Sequence, residues 1–142
     1  MEMTASKVPQ LAPEQIARAA DYVELVWRYQ DSEQDKAALA EFHADGPELA
    51  VLVGEFGSLL LADYISVVPD EHTDCESGYV LGKLVAVASR YLKRWCLAGG
   101  GAQAAWIAAG FLIECMQEVD QVHQFLADVR GNVGSGYGLA TA

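Results

Sequence analysis

A chain of 142 residues, 52% apolar and 20% charged, is long enough to bury roughly two-thirds of its unfolded surface around one core, which argues against bulk disorder and against two domains. The formal charge is −11, from 20 carboxylates against 9 lysines and arginines, so the surface repels a phosphate backbone or an anionic bilayer, and no direct nucleic-acid binding is expected. The imbalance sits in residues 1–76, with 16 acids and 4 bases, whereas residues 77–142 hold 4 and 5; a charged partner is therefore expected to be basic.

Residues 1–12 contain Pro9 and no periodicity and read as a flexible arm, ahead of a single helical domain over 13–130. Pro13 suits the first turn of a helix, and Ile16, Ala19, Ala20, Val23, Val26 and Trp27 follow at helical spacing over about 13–30. Asp31 or Ser32 can cap a second helix, with Glu33 and Asp35 in its first turn and its end at Gly46-Pro47. Only Ala37, Leu39, Ala40 and Phe42 supply its apolar side, so it should ride on the surface. Pro47 and Glu48 open a third helix along Leu49, Leu52, Val53, Phe56, Leu59, Leu60 and Tyr64. Gly54 and Gly57 weaken it by about 1 kcal/mol each unless a closely packed neighbour compensates. The β-rich pieces Leu49 to Val53 and Ile65 to Val68 keep a short-strand alternative open.

After the polar connection Pro69 to Ser77, Gly78 leads into a fourth pattern through Leu81, Leu84, Val85, Ala88, Tyr91, Leu92 and Trp95, with Lys83, Arg90, Lys93 and Arg94 on other faces. Gly99-Gly100-Gly101 permits a tight reversal. A fifth pattern runs from Ala102 to about Val129 through Ala105, Trp106, Ala109, Leu112, Ile113, Met116, Val119, His123 and Leu126. Gly101, Ala105 and Ala109 recur every four residues and allow a close crossing. The expected fold is all-α, a compact bundle of about five helices with helices four and five as a central antiparallel hairpin. The Gly-rich tail, residues 131–142, is expected to be mobile or to order on a partner. Trp95 to Ile113 carries no formal charge, but its three glycines and the amphipathic continuation favour a buried hairpin over a membrane span.

Cys75, Cys96 and Cys115 form no C-x-x-C pair, and Met1 to Gln10 lack the apolar stretch of a secretory signal, which fits a reducing cytoplasm. Cys96 and Cys115 read as small apolar side chains on helix faces. The run Asp70, Glu71, His72, Asp74, Cys75, Glu76 holds every common metal-ligand type, yet its spacing matches no EF-hand, zincin or C-x-x-C framework. Asp120 and His123 share a helix face, as do Glu114 and Glu118, but a di-iron bundle needs two Glu-x-x-His motifs; His123 reads instead as a half-buried, hydrogen-bonded histidine. Gly134, Gly136 and Gly138 have no following helix to receive an anion. With no nucleophile elbow, Walker loop or dinucleotide fingerprint, the expectation is a non-enzymatic protein with no cofactor and no metal site.

The feature left is an acidic face. Glu14, Asp21, Glu24, Asp31, Glu33, Asp35, Glu41, Asp45 and Glu48 fall within the first helices, beside Tyr22, Trp27 and Tyr29 as aromatic anchors. Such a face can dock on a basic, nucleic-acid-binding surface of a protein partner, as an inhibitor, adaptor or nucleic-acid mimic does; an anti-defence inhibitor carried by a mobile element is one concrete form. The alternatives are a small ligand-binding protein or enzyme with a pocket between helices three to five, lined by Tyr64, Tyr91, Trp106 and His123, and a membrane-associated accessory protein using Trp95 to Ile113. A homodimer is also open, because the apolar faces of five helices exceed what one core readily hides.

Overall fold

The N-terminal helices begin where local chemistry allows. In α1 (Pro13–Arg28) proline occupies the first turn, where its missing N–H is not needed, and Gln15 Oε1 accepts the Ala12 N–H at 2.8 Å. In α2 (Glu33–His43) the cap is Ser32, whose Oγ accepts the Asp35 N–H at 3.1 Å. Between the two helices Asp31 takes a φ of +64°, a left-handed conformation that Asp tolerates better than a branched residue. The computed structural model describes residues 11–65, 75–116 and 121–134. Among them the order is α1, α2, α3 (Gly46–Asp63), α4 (Glu76–Leu97), α5 (Gly101–Cys115) and α6 (Val122–Gly134), with no strand.

The all-α class is as expected, with six helices in place of about five. Leu49 to Val53 is helical within α3, while residues 66–68 of the second β-rich piece lie outside the described residues. The long fifth pattern divides at Met116, which turns to an extended ψ of 127° and ends α5. α6 then packs on α1, and it continues through Gly134, past the start of the Gly-rich segment. Residues 1–10 and 135–142 lie outside the described residues.

The core is centred on α3 against α5, with α1 alongside. Val53, Phe56 and Leu60 are sealed from solvent in one cluster with Ala105, Ala109, Leu112, Tyr22 and Val23. Glycines let the backbones approach: a Cβ at Gly46 would meet the Ala102 nitrogen at 3.1 Å, and one at Gly57 would meet Leu112 at 3.4 Å. The cost of glycine inside α3 is thereby offset by packing.

α4 and α5 are adjacent across a turn in which Gly99 and Gly101 adopt φ of +98° and +65°. The expected apolar stripe of α4 faces inward only in part: Val85, Ala88 and Leu92 are half-buried, whereas Leu81, Leu84, Tyr91 and Trp95 are exposed. The buried positions are Gly78 and Cys96, with Gly82, Val85, Ser89 and Leu92 half-buried behind them. Gly54 of α3 receives Cys96, whose Cβ would stand 3.3 Å from a Cβ added there. Small residues bring the two helices together, and the large ones, Leu81, Leu84, Tyr91 and Trp95, turn outward with Tyr79, Val80, Val87 and Leu97. Among the described residues no helix is long and apolar enough to cross a membrane, and Trp95 to Ile113 is interrupted by the turn between α4 and α5.

Candidate interaction surfaces

The acidic residues of α1 and α2 divide into three groups by what they meet. Asp35 is buried, and its carboxylate accepts from Arg28 Nη1 at 3.0 Å and from the Gln30 N–H at 3.0 Å, so it ties the end of α1 to the start of α2. It does not face outward with the other acids. Nearby, the Tyr22 hydroxyl and His43 Nε2 are 2.8 Å apart, and Phe42 packs edge-on to Tyr22 with ring centroids 5.2 Å apart. Burial lowers the His43 pKa and favours the neutral imidazole; burial, with the Cys96 thiol adding to it, pushes Tyr22 ionisation up. Tyr22 is fully buried and serves the core instead of an interface, whereas Trp27 and Tyr29 are half-buried.

A second group is paired across elements. Arg130 of α6 donates to Asp21 Oδ1 at 2.8 Å and to Glu24 Oε1 at 3.0 Å, while His123 Nδ1 lies 2.5 Å from Glu24 Oε2. Burial works against Glu24 ionisation, but hydrogen bonds and charge from His123 and Arg130 prevail and hold its carboxyl below the usual value. His123 is hydrogen-bonded as expected but exposed rather than half-buried, its side chain 65% accessible. Arg18 pairs with Asp45 at 3.4 Å, and Lys36 stands 4.0 Å from Asp31 and 3.8 Å from Glu33, all as solvent-exposed pairs that contribute little to stability.

The third group is free of such partners. Glu14, Glu41 and Glu48 are exposed and pair with no cation among the described residues. Glu48 and Asp45 also line an open groove of about 760 Å³ between the start of α1 and the first turns of α3. Leu11, Leu49, Val51 and Leu52 give the groove an apolar lining, with Arg18 and Glu55 beside it. Glu55 lies outside the expected acidic face. It lies two helical turns beyond Glu48 on the same side of α3, a spacing that carries the signal.

The residues expected around a pocket do not converge. Tyr91 is exposed, Trp106 packs on His43 and Tyr29, Tyr64 on Phe125, and His123 meets Glu24. The crevice between α3, α4 and α5 lined by Gly54, Gly57, Leu92 and Leu112 holds about 20 Å³, room for about one water. No metal-binding group of three donors occurs among the described residues, while residues 70–74, Glu118 and Asp120 lie outside them. No protein-family model matches the chain, and no match is found among curated proteins or among solved structures.

Proposed function

We propose that the chain is a non-enzymatic interaction protein, an inhibitor or adaptor, that docks its acidic end on a basic protein surface of the kind that receives nucleic acid. The observation that supports this reading is the groove between α1 and α3, where Glu48, paired with no described cation, stands on an apolar lining with Asp45 and Glu55, whose charges Arg18 and Lys93 offset in part. Carboxylates steer and orient a cationic partner, and the apolar lining offers surface whose burial holds it. Glu14 and Glu41 add charge that no described cation offsets. Asp35, Glu24 and Asp21 contribute by fixing α2 and α6 on α1, which keeps the surface in one shape.

The test is retention of identified proteins on the immobilised full chain, at low and at high salt, with DNA as a competing polyanion. Retained partners should carry nucleic-acid-binding surfaces, elute with salt or DNA, and be lost from the triple variant Glu14→Lys, Glu41→Lys, Glu48→Lys. Partners that stay bound to the triple variant at high salt would remove the electrostatic basis of the reading.

A further inference from the structure

We propose that α4 is a second docking surface, and that its occupant is an amphipathic helix of another protein with acidic flanks. Val80, Leu84, Val87 and Tyr91 recur at spacings of four, three and four, the a/d seam of a helix pair, and run for about 17 Å along α4. All four are exposed, Leu84 at 63% and Tyr91 at 59%, so the seam is complete on one side and uncovered among the described residues. Leu81 and Trp95 widen it on one flank.

Charge identifies the occupant. Lys83 and Arg90 stand one heptad apart beside the seam, with Arg94 at its end, and none of the three meets a carboxylate among the described residues. Lys83 lies over the Tyr79 ring at 5.8 Å and Arg94 over the Tyr91 ring at 5.4 Å, which holds two of the cations beside the apolar strip. Lys93, on the inner side, is paired with Glu55 at 3.6 Å. The chain has no carboxylate from Ser77 to Ile113, so a molecule of net charge −11 presents here a cationic rail. A facing helix with Leu or Ile on its seam and Glu or Asp on its flank satisfies both features.

A second copy fits less well. The antiparallel pairing that sets Leu84 of one copy against Val87 of the other also brings Lys83 beside Arg90, twice, and like charges across a seam are repulsive. An anionic bilayer is opposed by the charge of the rest of the molecule.

The experiment measures fluorescence anisotropy of a labelled 21-residue probe peptide with leucines at a and d and glutamates at e and g, at about 150 mM salt. Its flanks repel one another, which keeps it monomeric when free. Saturable binding to the full chain is expected, about ten-fold or more weaker for Leu84→Ala and for the double variant Lys83→Glu, Arg90→Glu. A companion peptide with glutamine flanks should bind about ten-fold more weakly as well. The triple variant of the acidic end should bind as the parent does, which separates this surface from the acidic groove. The substituted α4 residues are exposed, and unchanged circular dichroism verifies folding. Binding indifferent to both α4 variants, or equal for the two peptides, overturns the proposal. So does a dimer of the free chain that Leu84→Glu dissolves, or recruitment to anionic vesicles through the same residues.

Discussion

The body formed by α1, α3, α5 and α6 and the helix α4 resting on it use apolar residues in opposite ways. α5 buries Ala104, Ala105, Ala108, Ala109, Leu112 and Ile113, whereas α4 buries only Gly78 and Cys96 and sends Leu81, Leu84, Leu97 and its aromatics outward. α4 is amphipathic by sequence and α5 is apolar on nearly every side, so periodicity in α4 reveals a stripe and not its destination. The destination follows from interhelical distance: at Gly54 two helices can approach closely only if α4 offers its small residues. The ion pairs divide the same way. The body joins α1 to α6 through Arg130, Asp21, Glu24 and His123, while the outward cations of α4 meet no described carboxylate.

Substitutions can break this contrast or sharpen it. The largest effect is expected for Phe56→Ala in the body, a loss of about 3–5 kcal/mol in denaturant unfolding, because the ring is sealed from solvent and leaves a cavity. Asp35→Ala should cost about 1–3 kcal/mol, read as a lowered midpoint, since it strands the Gln30 N–H and the Arg28 guanidinium; Glu41→Ala on the same helix should change little. Acidification should act next, through the pairing of α1 with α6. Glu24 is held below its ordinary value of 4.5, so the stability it contributes is intact above that pH and is lost as pH falls through the lower folded-state value. Hydrogen exchange should then show α6 loosening before α4, and Glu24→Gln should remove that order. The smallest effect is expected for Leu84→Ala, within about 0.5 kcal/mol, because the side chain is already in water. A loss near that of Phe56→Ala would mean that α4 is covered and the contrast is false.

Much of the fold is legible from local signals. Pro13, Ser32 and Gly99 mark boundaries because each satisfies a backbone demand that few residues meet. The break at Met116 carries no glycine or proline, and apolar residues on both sides continue the same spacing, so one long helix and two shorter ones predict the same stripe. The acidic character is visible in composition, but its division is not. Asp21 and Arg130 are 109 residues apart, and although Arg28 and Gln30 lie only seven and five residues from Asp35, the turn at Asp31 that brings them to it has no signature in the spacing. Long-range pairing, unlike a cap or a glycine turn, has no local spacing to read.

The placement of Cys96 gives the molecule a built-in clock. Its thiol is shut against Gly54, while Cys75 and Cys115 are only half-buried; burial pushes the pKa of Cys96 up, and burial with Glu114 does the same at Cys115, so access and not acidity separates the two. A thiol-reactive dye should therefore modify Cys75 and Cys115 early and Cys96 only when the far end of α4 lifts away. If Cys96 reacts well before the protein unfolds globally, its rate in native buffer reports how often that helix leaves its seat.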